Sequence, residues 1–350
     1  MPRADDSQSH RTYKFPAGIT LRLQSDQRDV LAHFDAEYGD VRSGDATSTD
    51  IDVYAGRSAV SSSPAGTATE DMYEARHKTV TWRVGVTGLD AGTTTVRFEG
   101  RGQLVVSFLQ TFYVEPLLRL KFLDRDHALV HAASLTKDTG SVLFAAGSGV
   151  GKSTLMLRHA ASGKRVQGDN YVILSAQGQT LAFPRRLRVY SDLAKVSPDI
   201  FGGLTVQEQR RLKVAGFIRR FSLGYANMPR RLAIEQVVGA GRLCREAQLE
   251  AVYFLRRHGS EGLAGPFAVT LDEAVARIQA INKEEGKRLE EALGNRRGQA
   301  AFDKADRLER EILGRALSGV PALELLVPRV RNPSAIVSEI SRVCGLDGKA

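Results

Sequence analysis

Residues 145 to 154 read AAGSGVGKST and follow directly on the apolar run SVLFAA. A phosphate-binding loop asks for a small residue, four free positions, then Gly-Lys-Ser/Thr. Here Ala146 stands first, the run Gly147 to Val150 fills the free positions, and Gly151, Lys152 and Ser153 complete the pattern. Gly147, Gly149 and Gly151 let the backbone turn inward, so the N–H groups of Gly147, Ser148, Gly149, Val150, Gly151, Lys152, Ser153 and Thr154 face one centre. Lys152 adds a point charge, Ser153 offers a hydroxyl to Mg²⁺, and a helix starting there directs its positive end at the anion. The alternative is a glycine-rich turn with an exposed lysine. An apolar strand before the loop and an amphipathic helix after it are the context that phosphate binding requires. The predicted ligand is ATP with Mg²⁺.

The chain has 350 residues, 42% hydrophobic and 25% charged, which is enough for two domains. No window approaches a membrane span and no signal peptide is evident, so a cytoplasmic protein without membrane attachment is expected. Cys244 and Cys344 lack metal-ligand or disulfide spacing and are expected to be buried thiols. A net charge of +9 favours anionic partners. The excess concentrates between Thr205 and Arg231, where Arg210, Arg211, Lys213, Arg219, Arg220, Arg230 and Arg231 face a single acid, Glu208. This stretch reads as a solvated face, a nucleotide-adjacent lining or a docking surface for an acidic protein or peptide. No ladder of aromatic residues accompanies it, which argues against nucleic acid.

The expected fold class is α/β: a smaller, mostly β (α+β) N-terminal domain over residues 1–123, then a nucleotide-binding domain with a mixed sheet over 124–350. KFPAGITLRLQ alternates as a strand. The Ser-, Thr-, Gly- and Asp-rich segment 40–75 is expected to be flexible, as loop or short edge strands. KTVTWRVGVTGLDAGTTTVRFEGRGQLVVSFL reads as a three-stranded meander, and LQTFYVEPLLRLKFL as a helix despite Pro116. From His127 strands and helices alternate, with Gly163 at a helix C-cap. The charged run from Leu271 to Leu317 reads as an exposed helical arm that bridges or dimerises, which is compatible with a homo-oligomer.

A motor-type or transporter-type ATPase needs a second apolar strand ending in a carboxylate, whereas AVYFLRR ends in arginines. Asp169 is the better acidic candidate, because it follows the strand after the loop's helix and is predicted to emerge beside Ser153. A carboxylate there binds Mg²⁺ or takes a proton from an attacking hydroxyl; the plain alternative is an Asx-turn in GDN. Arg185, Arg186 and Arg188 either line the phosphate side or lie on an exposed strand, and Arg230 and Arg231 are candidates to neutralise a transferring phosphoryl group.

The segment LVHAASLTKDTGSVLFAAGSGVGKSTLMLRHAASGKRVQGDNYVIL resembles HPr kinase/phosphorylase and related bacterial kinases of the phosphoenolpyruvate-carboxykinase-like fold group. The match covers about fifty residues, with looser similarity through FPRRLRVY, AVYFLRR and VPALELLVPRVRNP. The resemblance implies that Lys152 and Ser153 hold ATP and Mg²⁺, that His131 sits near the γ-phosphate, and that an acidic pair activates the acceptor hydroxyl. On the residues alone, His131 reads first as a core histidine of an apolar strand, and the family register reverses that. The pair departs from the pattern, since it reads Asp169-Asn170 and an amide neither accepts a proton nor carries charge. No counterpart of the acidic glycine-rich segment that engages HPr is found, which leaves HPr itself in doubt. The predicted catalytic residues are therefore Asp169, His131 and Lys152, and the predicted metal ligands Ser153 and Asp169. The expected activity is an ATP- and Mg²⁺-dependent kinase acting on a hydroxyl of a small molecule, peptide or protein. The alternative is a nucleotide-binding switch or ATPase with a degenerate kinase site.

Overall fold

The computed structural model describes residues 10–44, 46–56, 72–137, 140–147, 149–221, 229–259, 262–328 and 333–346. The fold is mixed α/β with mixed sheets. It divides into two compact units, Met1–Ala128 with Asn282–Glu311, and Leu129–Ile281 with Ile312–Ala350.

The first unit is built on a seven-stranded sheet in the order β3-β1-β2-β4-β7-β6-β5. Its strands are β1 (His10–Lys14), β2 (Thr20–Ser25), β3 (Arg42–Ser43), β4 (Ile51–Ala55), β5 (Tyr73–His77), β6 (Val80–Thr87) and β7 (Thr94–Glu99). β2, β4 and β7 run parallel, and the flanking pairs are antiparallel. Helix α1 (Arg28–Tyr38) follows β2, so the unit is not simply β.

Two expectations for this region are corrected. The segment 40–75 contains β4, an interior strand whose five residues are all buried. Its Asp52 made it look polar, but the carboxylate is neutralised by Arg22 of the neighbouring strand, Nη2 to Oδ2 at 2.6 Å. Residues 57–71 of that segment lie outside the described residues. The expected third meander strand is instead helix α2 (Gln103–Phe108), which follows β7 after Gly102 at φ +91°. The run QLVVSF has apolar residues at both strand and helix spacing, so periodicity alone did not decide between them. The chain then passes through a π-helical turn (Leu109–Val114) into α3 (Glu115–Leu123). Pro116 sits in the first turn of α3, where no N–H is required.

In the second unit the order is β11-β9-β10-β16-β13-β12-β8, with β18 also on β16 and β17 on β18. The strands are β8 (His127–Val130), β9 (Ala132–Lys137), β10 (Gly140–Ala145), β11 (Val166–Gly168), β12 (Val172–Ser175), β13 (Gln179–Ala182), β16 (Glu246–His258), β17 (Ala264–Ala268) and β18 (Ala322–Pro328). β14 (Leu187–Val189) and β15 (Arg230–Leu232) form a separate two-stranded ribbon. β10 is fully buried between β9 and β16, which is why its sequence is a near-continuous apolar run rather than an alternation. The helices are α4 (Lys152–Ala161), α5 (Leu193–Val196), α6 (Pro198–Gly203), α7 (Val206–Phe221), α8 (Ile234–Val238), α9 (Leu271–Arg297), α10 (Gln299–Ala316) and α11 (Pro333–Val343). α4 ends at Gly163, which at φ +88° donates its N–H to the Ala160 carbonyl at 3.0 Å, a left-handed cap. The core joins Val142 and Phe144 of β10 with Leu155 and Met156 of α4 and Ile336 and Ile340 of α11. Cys244 and Cys344 are both free and buried, and burial pushes the Cys344 thiol up to about 12.

The charged run is two helices, α9 and α10, and residues 282–311 belong to the first unit rather than to the second. Within that unit it is not a solvated arm. Leu289, Ala301 and Ala305 are buried, and Glu309 receives Arg119 Nε at 3.1 Å, Arg119 Nη2 at 2.7 Å and Asn282 Nδ2 at 2.9 Å. The density of Glu, Lys and Arg around these positions hid the buried stripe.

Candidate nucleotide site

The glycine loop leaves the end of β10 and enters α4, with Gly149 at φ +77° and Gly151 at φ +115°. A side chain at either would strain the backbone, although a Cβ there meets no atom within 4 Å, so the loop borders open space. Val150 packs against the core and anchors the loop from below. Lys152 is buried, and its Nζ donates to the carbonyls of Ala146 at 2.5 Å and Gly147 at 3.1 Å. The ammonium therefore lies against the loop rather than pointing to solvent. Ser148 lies outside the described residues. Thr154 is half-buried in the first turn of α4.

Strand directions bring Asp169 to the same place. β11 is antiparallel to β9, which is antiparallel to β10, so β11 and β10 run the same way and exit at the same edge of the sheet. Gln167 fixes β11 from inside, accepting from Ser134 Oγ at 2.5 Å and donating to the Thr180 carbonyl at 3.0 Å. The chain then turns at Gly168, where a Cβ would lie 2.9 Å from the Tyr171 carbonyl oxygen. Asp169 emerges with its Oδ2 accepting from Ser153 Oγ at 2.7 Å. The other oxygen, Oδ1, is buried and has no hydrogen-bond partner among the described residues.

Burial pushes the Asp169 carboxyl up from the ordinary aspartate value. Against that, the Ser153 hydroxyl and the nearby charges of Lys152, His131 and Arg185 pull it down. Desolvation wins because only one oxygen receives a donor. Such a carboxylate binds protons more tightly than a solvated one, and a cation beside it restores its charge.

His131 is placed by register. Ala132 pairs with Ala145, so the residue before it lies level with the start of the loop. Its ring meets Tyr171 edge to face at 5.5 Å. Tyr171 in turn meets Phe183 at 5.8 Å, and the Arg185 guanidinium lies 5.1 Å from the Tyr171 ring centroid. Of the three arginines after FP, Arg185 is thus brought toward Asp169, while Arg188 lies on the β14–β15 ribbon opposite Arg231. Arg230 pairs with Glu208 at 3.3 Å.

Two features escaped the sequence reading. Tyr171 and Phe183 form an aromatic wall beside Asp169, for which the only signal was a tyrosine two positions after the carboxylate. Arg257 donates through Nη2 to the Gly149 carbonyl at 2.7 Å and through Nη1 to the Pro328 carbonyl at 2.9 Å. β16 is parallel to β10 with Phe254 opposite Ala145, so Arg257 projects beyond the end of β10 to the level of the loop. The first position after the apolar run of β16, where a motor-type ATPase would carry its second carboxylate, is Arg256, which pairs with Glu324 at 3.0 Å, and the next residue, Arg257, is the cation that braces the loop.

A comparison with models of known protein families gives no match, nor does a comparison with curated proteins. Among the described residues no helix is long and apolar enough to cross a membrane, and no cluster of three or more His, Cys, Asp or Glu has the arrangement of a metal site.

Proposed function

We propose that the chain is an ATP- and Mg²⁺-dependent kinase of the HPr-kinase-related phosphate-loop type, which transfers the γ-phosphate to a hydroxyl acceptor. The observation that carries this reading is the 2.7 Å bond between Ser153 and Asp169 at the mouth of the glycine loop. A hydroxyl at the start of a helix and a carboxylate one strand away are the two oxygen donors that a nucleotide-bound magnesium takes from this type of loop.

The residues fit the group. Gly149 and Gly151 give a backbone into which a phosphate packs without meeting a side chain. Lys152 brings a buried cation, and Asp169 has an unsatisfied oxygen whose charge a divalent ion would stabilise. Mg²⁺, held by Ser153 and Asp169, would neutralise charge on the β- and γ-phosphates. Loop amides and Lys152 orient the triphosphate, and Arg257 holds the loop at Gly149. In the transfer, the acceptor oxygen bonds to the γ-phosphorus, the bond from that phosphorus to the β–γ bridging oxygen breaks, and ADP leaves with the electron pair. The acceptor proton passes to Asp169, the carboxylate bonded to Ser153 at the mouth of the loop. His131 and Tyr171 flank the acceptor side.

Asn170 favours a second reading, in which the chain binds nucleotide as a switch and transfers slowly. The amide beside Asp169 supplies neither proton acceptance nor charge.

The test is transfer of label from γ-labelled ATP to a panel of hydroxyl acceptors, comparing wild type with Lys152→Ala and Asn170→Asp. Lys152→Ala is expected to abolish labelling while the chain remains cooperatively folded, checked by thermal unfolding; retention of the parental rate would exclude the kinase. A large gain in Asn170→Asp would favour the switch.

A further inference from the structure

Helix α7 is amphipathic in the wrong direction for a helix that only packs. Leu212 is its single buried side chain, while Val214, Phe217, Ile218 and Phe221 follow one another at helical spacing on the opposite side. Phe217 is 63% and Phe221 71% exposed, and their rings lie 4.2 Å apart, tilted by 41°, so they pack against each other in solvent. An apolar stripe of this extent on a surface helix costs solubility and marks a contact surface. α7 also carries Arg210, Arg211, Lys213, Arg219 and Arg220 against one acid, Glu208.

Beside the stripe lies a groove of ≈ 630 Å³, lined by Arg210, Arg211, Val214, Ile218, Pro229 and Arg230. Glu208 pairs with both Arg211 and Arg230, at 2.8 and 3.3 Å, so two guanidiniums share one carboxylate, and with Arg210 also in the lining the groove keeps a positive excess. Arg230 belongs to β15, which pairs with β14. β14 begins two residues after Arg185, the side chain stacked on Tyr171 in the wall beside Asp169. The groove is therefore linked by one short ribbon to the acceptor side of the loop.

We propose that this groove docks an acidic amphipathic helical segment of the protein that carries the acceptor hydroxyl. Apolar residues of the segment cover Val214, Phe217 and Ile218, and its carboxylates meet Arg210 and Arg211. Concavity favours a peptide over a bilayer, which takes a convex apolar ridge. A second copy of this chain is disfavoured because a twofold contact sets the same arginines against each other. The identity of the docked protein as acceptor rests on the kinase reading; the docking itself does not.

The experiment uses the full chain without nucleotide and a fluorescein-labelled helical peptide of about 18 residues. The peptide carries Leu at i, i+3, i+4 and i+7 and Glu at its flanking positions. Fluorescence anisotropy is expected to show saturable binding that weakens with salt. Binding falls at least about tenfold in Phe217→Ser/Ile218→Ser and in Arg210→Glu/Arg211→Glu, and is unchanged in Lys152→Ala. Both double variants alter exposed side chains, and unchanged thermal unfolding confirms that they fold. The proposal is overturned by the absence of saturable binding, by equal binding of a peptide with Lys in place of Glu, or by insensitivity to both double variants. It is overturned in favour of a membrane if the chain sediments with phosphatidylserine vesicles through Phe217 and Ile218 and ignores the peptide. It is overturned in favour of self-association if those two substitutions instead convert a dimer to a monomer. Peptide binding without labelling of any acceptor would sink the kinase and leave the groove; labelling without peptide binding would do the reverse.

Discussion

Glu309 and Asp169 are both buried carboxylates, one in each unit, and they differ in how their oxygens are satisfied. Glu309 receives three donors, two from Arg119 in a parallel fork and one from Asn282. Asp169 receives one, from a serine at the solvent edge, and its second oxygen is left without a partner among the described residues. A buried charge fully enclosed by donors holds chain segments together; one left half-satisfied is costly to the fold and ready for an incoming cation or proton. On the kinase reading proposed above, the difference sets Glu309 as a carboxylate that holds chain segments together apart from Asp169 as one that meets the substrate.

The comparison breaks most sharply on function. Asp169→Asn is expected to cut phosphoryl transfer by about 10²–10⁴-fold, as loss of a positioned base does, and Glu309→Gln to leave it nearly unchanged. Labelling rates decide, and equal losses in the two variants would erase the distinction. The stability result runs the other way. Glu309→Ala leaves the Arg119 guanidinium without its carboxylate and is expected to cost about 3–5 kcal/mol, seen as a lower denaturant midpoint.

A third prediction concerns pH. The Asp169 carboxyl lies above the ordinary aspartate value in the folded chain, so the native state holds that proton more tightly than the unfolded state does. Wild type is thus penalised relative to Asp169→Asn at pH above the folded value, and the penalty fades as pH falls through it toward the ordinary range. Unfolding of both variants across acid pH measures this, and a gap that widens on acidification would contradict the assigned shift. The smallest effect is expected for Arg257→Ala, which removes one charge-assisted bond to the loop. The Michaelis constant for ATP should rise by about fivefold, consistent with a contribution near 1 kcal/mol.

Much of the second unit was legible because its information is local. A buried central strand needs an apolar run, the loop needs glycine at positive φ, and Gly163 at φ +88° closes the helix by donating to the Ala160 carbonyl. Asp169 was readable from one topological step, since a strand following the loop's helix exits at the same edge when it runs parallel to β10. Arg257 was not readable in this way: its place beside Gly149 depends on pairing between β10 and β16, more than a hundred positions apart in the chain. β4 was hidden by Asp52, whose polar letter concealed an ion pair with Arg22, and α2 by an apolar run that suits both periods. The α9–α10 region failed for a related reason. Its buried Glu309 and Asn282 use the same letters as a solvated surface, and only their partners show which they are.

The Asp169 oxygen that has no partner among the described residues has a consequence for how this sequence drifts over generations. Nothing in folding rewards keeping it, so a gene copy released from selection at the loop would soon exchange position 169 for an uncharged residue and gain thermal robustness. Persistence of the acid across descendants that otherwise diverge would be the genetic signature of a loop still in use.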